Sequence, residues 1–128
     1  MNKRIYAFIV LVIILVGAYF LYQRFFVVSK SKIEVFDGDV TVKMGEDGYE
    51  PQDFQIKKGS KVTFVNSSSG LRWPASDLHP SHLVFSEFDP KEPVAKDAKW
   101  EFQFNKVGEW GYHDHLAPYI TGTIKVVE

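Results

Sequence analysis

The chain of 128 residues contains no cysteine and only two methionines. Without a thiol, the chain can form no disulfide, offers no thiolate to a metal, and cannot carry a lipid anchor that is attached through cysteine. The two thioethers, Met1 and Met44, lie far apart in the sequence, which argues against a soft, sulfur-based metal site.

The chain also lacks a cluster of basic residues. Beyond residue 26 it has 12 Lys and Arg but all 16 Asp and Glu, so that this part has a formal charge of −4. Nucleic-acid binding needs a basic patch or stripe that neutralises phosphates. The sequence therefore predicts no nucleic-acid partner.

Charge is absent from one long run near the N-terminus. Residues 5–22 are 18 consecutive uncharged residues, and at about 1.5 Å per residue a helix of this length spans most of the roughly 30 Å hydrocarbon core of a bilayer. The run has no polar face, which argues against a buried helix of a soluble core. We expect an uncleaved membrane anchor over residues 1–28. A cleaved signal peptide is the alternative, although no A-x-A pattern follows the run.

The orientation of this span follows only weakly from its flanks. Lys3 and Arg4 precede it, and Arg24, Lys30 and Lys32 follow it, so the positive-inside rule does not decide. The short basic N-terminus favours a single-pass protein of the cell membrane with its domain outside, in the periplasm or the extracellular space. Residues 29–39 are expected to form a linker and the region of the first strand.

The remaining residues, 40–128, have a hydrophobic period of two. Alternation is clear in residues 40–44, 54–56, 62–65, 100–104 and 124–126, and Gly- or Asp-containing turn signals separate these segments. This pattern predicts about seven short strands in an antiparallel β-sandwich. The expected core residues are aromatic: Phe36, Phe54, Phe64, Phe85, Trp100, Phe102, Phe104 and Trp110. Trp73 lies apart from them, in a long polar loop of the type that is often functional.

All four histidines fall in two short clusters, His79 with His82 and His113 with His115. Imidazole is the commonest protein ligand for transition metals, and such spacings can place two rings on one ion. Three or four imidazoles suit Cu(II), with Zn(II) or Ni(II) as alternatives, and copper binds most tightly at equal availability. Asp114 lies between two of the histidines. It could ligate the metal, accept a proton from a ligand imidazole, or form a turn.

From about residue 40 to residue 127 the chain resembles the cupredoxins, the Greek-key β-sandwiches of the blue-copper proteins. Residues 48–59 and 62–66 are similar to their early strands, and Ser81-His82-Leu83-Val84-Phe85 is similar to the strand with their first histidine ligand. The segment from Trp110 to Asp114, continuing to Val126, is similar to their ligand loop and last strand. The resemblance implies an all-β, cupredoxin-like Greek-key β-sandwich over residues 40–128, with both histidine clusters at one end of it.

The blue-copper ligands themselves are missing. The last segment aligns without gaps to the amicyanin-like pattern Y-x-Y-H-C-x-x-H-x-x-M-x-G, with Asp114 in place of the cysteine, Ala117 in place of the second histidine and Ile120 in place of the axial methionine. Only His82 remains of the ligand set that the resemblance implies. A blue-copper centre needs the thiolate, and the sequence therefore excludes it.

A second resemblance covers fewer residues. His79-Pro-Ser-His82-Leu83 is similar to the H-P-x-H-L-H-x-H segment of multicopper oxidases, and His113-Asp114-His115 is similar to their H-C-H segment without its cysteine. Val84 and Ser86 occupy the places of the last two histidines of the first segment. A complete trinuclear copper cluster is therefore not expected in this chain.

Together these features predict a membrane-anchored, extracytoplasmic protein that binds one copper in a type 2-like site without thiolate. The predicted site comprises His79, His82, His113, His115 and Asp114, with copper handling or electron transfer to a membrane redox or copper-handling complex as the role. Two alternatives are a mononuclear copper redox enzyme and a metal-free accessory domain of a membrane complex. Because bonds from histidine to metal are about 2 Å long, histidine clusters more than about 10 Å apart would favour the metal-free domain.

Overall fold

The computed structural model describes residues 2–26 and 33–128, and of residues 23–26 it describes the backbone alone. These residues form two separate units, an N-terminal helix and a β-sandwich. Of the predicted anchor and of the predicted linker and first-strand region at 29–39, residues 27–32 lie outside the described residues. The boundaries at residues 28 and 39 stay predictions.

Helix α1 spans Lys3–Phe26. Its part from Lys3 to Tyr22, 20 residues, is long and apolar enough to cross a membrane. Leu, Ile, Val, Ala and aromatic residues occupy all its faces, and no proline interrupts the backbone hydrogen bonds. A membrane span and a signal sequence share this length and composition, so the helix is compatible with both of the predicted alternatives.

The sandwich consists of two sheets. The five-stranded sheet has the order β1-β4-β9-β8-β6, with β1 at Glu34–Val35, β4 at Asp53–Lys57, β9 at Ala117–Val127, β8 at Gly108–Asp114 and β6 at Pro74–Ser76. The four-stranded sheet has the order β3-β2-β5-β7, with β3 at Tyr49–Glu50, β2 at Val40–Met44, β5 at Lys61–Asn66 and β7 at Lys99–Gln103.

The sheets are mixed, so the predicted antiparallel pairing is wrong for part of the sandwich. β1 pairs parallel to β4, β4 parallel to β9, and β2 parallel to β5, while the other pairs are antiparallel. Alternation in a sequence reports which side chains face the core, and it carries no information about the direction of the neighbouring strand. Three strands lie outside the alternating segments, β1, β3 and β6, and they are only two or three residues long. β1 falls within residues 29–39, where the region of the first strand was expected.

The alternation itself is confirmed. In β2, Val40, Met44 and the residue midway between them are buried, while the two intervening residues are exposed. Of the predicted core, Phe54, Phe64, Phe85 and Phe104 are buried, and the others pack against the core while half-buried: Phe36, Trp100, Phe102 and Trp110. Besides Tyr49, two buried aromatic residues were not predicted from the sequence, Phe88 and Tyr112.

Phe88 and Tyr112 connect the core to the end of the sandwich where the histidines lie. The ring of Phe88 lies 5.7 Å from that of Phe64, 5.6 Å from that of Trp100 and 5.9 Å from that of Tyr112. Buried aromatic pairs at these separations stabilise a core beyond the area that they bury. Phe88 precedes Asp89 and Tyr112 precedes His113, so both segments are held firmly just before the residues described below.

The strand predicted at residues 81–85 is wrong. These residues form a turn followed by a 3-10 helix at Leu83–Phe85, and His82 has the left-handed φ of 53°. Pro80 has no N–H to donate to a strand ladder, and a left-handed residue ends an extended chain. Leu83 and Val84 are exposed and only Phe85 is buried, so the segment also lacks the alternating burial of a strand.

Candidate metal centre

His113 lies in β8, which ends at Asp114, and His115 is the first residue of the turn between β8 and β9. His113 is paired with Thr121 in the antiparallel ladder to β9, and the register shifts between His113 and Asp114. The backbone N–H of His115 then donates to the carbonyl oxygen of Trp73 at 2.8 Å. A bulge of this kind changes the direction in which side chains point, and it lets His113 in the strand and His115 in the turn after it direct their rings to the same place.

His79 and His82 come from the turn that follows β6. The backbone N–H of His82 donates to the carbonyl oxygen of Leu78 at 2.7 Å, and that of Val84 donates to the carbonyl oxygen of Asp77 at 2.8 Å. The Ser76 hydroxyl accepts from the N–H of Phe85 at 2.9 Å. The turn is therefore ordered by its own hydrogen bonds rather than by a sheet.

The structure brings all four histidines together. One ligand nitrogen from each of His79, His82, His113 and His115 lies within 4.8 Å of the others. His79 Nδ1 is 3.3 Å from His113 Nε2, and His82 Nε2 is 2.9 Å from His115 Nδ1. Each close contact thus joins a histidine of the turn after β6 to a histidine at the end of β8 or just beyond it.

These separations fit a single metal ion. Bonds of about 2.0–2.1 Å place two ligand nitrogens at most about 4.2 Å apart across the ion. A group whose nitrogens lie within 4.8 Å needs only small side-chain shifts to reach that geometry. The donor set is four imidazoles, a set that suits Cu(II), Zn(II) or Ni(II).

Two of the four rings are hydrogen-bonded to carboxylates. His82 Nδ1 lies 2.7 Å from Asp89 Oδ2, and His113 Nδ1 lies 3.0 Å from Asp77 Oδ1. A carboxylate partner on one ring nitrogen fixes the tautomer and leaves the other nitrogen for a metal. His82 and His113 therefore present Nε2 to the cluster.

Asp89 and Asp77 were not predicted from the sequence. Asp89 lies in an acidic stretch whose members Glu87 and Glu92 are exposed, yet its own side chain is only 7% exposed. A signal existed only for Asp77, which lies two residues before His79.

Trp73 also contacts the histidine cluster. Its indole Nε1–H donates to Asp89 Oδ1 at 2.9 Å, and its ring lies 4.6 Å from that of His115. The loop that was singled out by its length therefore supplies a residue that contacts both the cluster and one of its carboxylates.

Comparison with known proteins agrees with the fold described above. No family model matches the chain. Amicyanin of Paracoccus denitrificans is 27% identical over 94 residues, which are 73% of this chain and 69% of amicyanin. A purple cupredoxin from Nitrosopumilus maritimus superposes with a TM-score of 0.61 at 20% identity, over 70% of this chain and 100% of that chain. The Cu(I) form of an amicyanin mutant gives a TM-score of 0.60 at 24% identity, over 73% and 87% of the two chains.

The chain has the cupredoxin fold. The resemblance inferred from the sequence is thus confirmed, with mixed rather than antiparallel sheets. Within this fold the structure has a cluster of histidines alone. Ala117 and Ile120, at the positions where the amicyanin-like pattern has histidine and methionine, are buried among the apolar core residues.

Asp114, at the position of the pattern's cysteine, makes contacts other than those of the histidines. It is fully buried; its Oδ1 accepts from the backbone N–H of Leu116 at 2.9 Å and of Trp73 at 3.4 Å. Its Oδ2 lies 3.7 Å from Nη1 of Arg72. These contacts correspond to the third predicted alternative, a turn residue, and they add a buried ion pair that the sequence did not indicate.

The pKa values of His113 and His115 are both lowered, which favours the neutral form of these rings. Burial lowers the pKa of His113 and outweighs the opposing effect of Asp77, with a further decrease from the neighbouring His82 and His79. Burial, followed by repulsion from His82 and His79, lowers the pKa of His115. A lowered pKa leaves the ring neutral, and a metal ligand must be neutral imidazole.

The pKa of Asp89 is also lowered, and for a carboxyl group this favours the charged form. Burial raises the pKa of its carboxyl, but the hydrogen bonds from His82, Trp73 and Lys91 outweigh this effect and hold the pKa well below its usual range. An ionised carboxylate beside the ring of His82 supplies negative charge close to the centre of the cluster.

Proposed function

We propose that this protein binds one Cu(II) ion through His79, His82, His113 and His115 in a type 2-like site without thiolate. Asp114 stays part of the proposal as a residue that shapes the loop of the strand histidines. The observation that supports the proposal most directly is the placement of four imidazole nitrogens within 4.8 Å of one another. Bound copper would supply one-electron redox chemistry or would itself be the cargo.

Copper is favoured over other metals by the donor set. Among first-row divalent ions at an imidazole site, Cu(II) binds most tightly, and Zn(II) follows as the alternative occupant. The centre contains no sulfur ligand that would select Cu(I). Met44, the one methionine that the structure describes, is fully buried in the core.

The short distance between the two histidine clusters argues against the metal-free alternative. Clusters more than about 10 Å apart would have favoured that alternative, whereas the ligand nitrogens lie within 4.8 Å. A shared metal explains why four imidazoles, which repel one another when charged, are gathered at one end of the sandwich.

The cellular setting is the second part of the proposal. The apolar helix from Lys3 to Tyr22 would anchor the protein in the cell membrane with the sandwich on the outer side, beside a redox or copper-handling complex of the membrane. Carbonate extraction of membranes tests the anchor, since an integral protein stays in the pellet. Mass spectrometry of the mature N-terminus tests the alternative, because a cleaved signal peptide removes the helix.

The metal-binding proposal is tested with the full chain in detergent, stripped of metal and titrated with Cu(II). We expect uptake of one copper, a type 2-like EPR signal and no intense thiolate band in the visible spectrum. The double variant with His82→Ala and His113→Ala is the matched control for adventitious binding. A wild-type chain that takes up no stoichiometric copper would contradict the proposal, and tighter binding of Zn(II) than of Cu(II) in competition would replace copper by zinc.

The second candidate function is a mononuclear copper redox enzyme, and the unequal exposure of the four histidines favours it. His82 and His113 are buried while His79 is exposed, so one side of the site faces solvent and a small molecule could reach the metal there. Turnover of superoxide, oxygen or a nitrogen oxide by the copper-loaded chain, above that of the double variant with equal copper, would support the enzyme. Reversible cycling between Cu(II) and Cu(I) without turnover would support electron transfer.

A further inference from the structure

The four imidazoles of the centre are not equivalent. His82 and His113 each have a carboxylate on Nδ1, Asp89 at 2.7 Å and Asp77 at 3.0 Å. His79 and His115 instead direct Nδ1 at the other pair, with His79 Nδ1 at 3.3 Å from His113 Nε2 and His115 Nδ1 at 2.9 Å from His82 Nε2. The centre therefore offers two Nε2 and two Nδ1 atoms.

We propose that Asp89 and Asp77 fix His82 and His113 as Nδ1–H tautomers and thereby make the centre prefer Cu(II) to Cu(I). The proposal rests on the proposed function, since it concerns the oxidation state of the copper in the same site. Both carboxylates are positioning residues that act through the rings they hold.

The preference follows from charge. A carboxylate that accepts a hydrogen bond from Nδ1–H makes the imidazole more basic at Nε2. Its negative charge also stabilises a nearby divalent ion more than a monovalent one, because the interaction is proportional to the charge of the ion. Both effects favour the oxidised metal.

The two carboxylates should differ in strength. The side chain of Asp89 is 7% exposed and that of Asp77 is 41% exposed. Water and salt screen an exposed charge more strongly than a buried one. Asp89 should therefore have the larger effect on the copper.

Asp77 can reach His113 only because residue 111 has no side chain. A Cβ atom at Gly111 would overlap the Oδ2 atom of Asp77, and the Asp77 N–H donates to the Gly111 carbonyl oxygen at 3.0 Å. Gly111→Ala should displace the carboxylate from His113 without changing the charge of the protein. Gly111 is thus a positioning residue for Asp77.

Trp73 has the corresponding role for Asp89. Its Nε1–H holds Asp89 Oδ1 at 2.9 Å while the Oδ2 atom accepts from His82. Trp73→Phe would remove this hydrogen bond and keep an aromatic ring against His115. We expect it to shift the copper preference in the same direction as Asp89→Asn, but less.

The decisive experiment measures Cu(I) and Cu(II) affinities and the reduction potential of the full chain in detergent. Asp89→Asn should lower the Cu(II) affinity about 10- to 100-fold, as substitutions behind a metal ligand do, and the Cu(I) affinity less. The potential should rise by about 59 mV for each tenfold change in the ratio of the two affinities. Asp77→Asn and Gly111→Ala should produce smaller rises of similar size.

Two matched controls make the same substitutions at positions away from the histidines. Asp37→Asn removes an exposed carboxylate that pairs with Lys57 at 3.1 Å, and Gly38→Ala adds a Cβ with no atom within 4 Å. Both should leave the potential unchanged. A wild-type chain that binds no copper overturns the proposed function itself. Copper binding with the same potential in wild type, Asp89→Asn and Asp77→Asn overturns only the present inference.

The tautomers are tested without copper, by nitrogen NMR of the metal-free chain. His82 and His113 should be protonated at Nδ1, and Asp89→Asn and Gly111→Ala should weaken that bias at His82 and His113 respectively. Protonation at Nε2 in the wild type would overturn the inference even in a protein that binds copper. The spectra also show whether each variant is folded.

Discussion

The two pairs of histidines reach the same point by different means. The strand pair, His113 and His115, is positioned by backbone hydrogen bonds of β8 and by the bulge at its end. The loop pair, His79 and His82, lies in a turn where His82 has a left-handed backbone. The carboxylate of Asp89 holds the ring of His82.

The difference shows how a β-sandwich builds a site at its end. A sheet positions residues accurately but can direct only some of them to one point, because side chains alternate between its faces. A turn is free of that alternation, yet it must be ordered by side-chain contacts of its own. Each close nitrogen contact joins one pair to the other, as between His79 and His113, so neither pair completes the centre alone.

The largest loss of folding stability is expected from a substitution in the core, at Phe88. Phe88→Ala removes a fully buried ring and should lower the free energy of unfolding by about 3–5 kcal/mol. The loop pair should also lose order, because relaxation around the cavity shifts the backbone at residue 88, whose carbonyl oxygen accepts from the N–H of Ser76. Urea unfolding measures the stability. Leu83→Ala, at a side chain that is 74% exposed, is the control and should change it by less than about 0.5 kcal/mol.

Asp114→Ala should have the next largest effect, on the strand side. It leaves the guanidinium of Arg72, 12% exposed, without its buried partner, which costs about 3 kcal/mol of folding stability. Arg72 keeps its hydrogen bonds to the Gly45 and Glu46 carbonyl oxygens, so the cost lies at the low end for such pairs. The EPR signal of bound Cu(II) should persist. An unchanged stability together with an altered EPR signal would instead make Asp114 a ligand.

Removing one buried ligand from each pair tests whether the pairs are equivalent. His113→Ala and His82→Ala should each lower Cu(II) affinity by more than about 100-fold, which exceeds the loss for a residue behind a ligand and corresponds to about 2.8 kcal/mol. Competition with a chelator measures the affinity, and unfolding of the metal-free variants shows whether the fold survives. An unchanged affinity in both variants would mean that the metal site is elsewhere.

The smallest effect is expected at the exposed end of the loop pair. His79→Ala should lower Cu(II) affinity by about tenfold, or about 1.4 kcal/mol, because water can replace an exposed ligand. The stability of the metal-free chain should change by less than about 0.5 kcal/mol. A loss as large as that of His82→Ala in the same competition assay would show that exposure does not distinguish the two members of the pair.

Much of the fold could be predicted from local patterns. Alternating apolar residues in Val40–Met44 and Lys61–Asn66 gave two central strands correctly, because alternation is a direct consequence of a sheet with one buried face. The parallel pairing of these strands could not be predicted in this way. Strand direction depends on connections between distant segments, which no local period encodes.

The site was predictable at the level of its donors. Four clustered histidines and the absence of cysteine indicated an imidazole site without thiolate. Asp89 could not be found, because its seven residues of separation from His82 follow no period and its neighbours are exposed acidic residues. Gly111 gave no signal either, since the need for a small residue there comes from Asp77.

The sequence by itself determined which metal-binding atoms are available: imidazole nitrogens in two clusters, and a carboxylate instead of a thiolate at position 114. It also determined the apolar N-terminal segment and the alternation that makes a sandwich. Only the tertiary structure decided that the two clusters meet, which nitrogen of His82 and His113 faces the centre, and that Asp114 turns to Arg72 instead. Composition and spacing fix the chemistry of side chains. Their directions depend on backbone turns and on partners distant in the chain, and these exist only once the sandwich has folded.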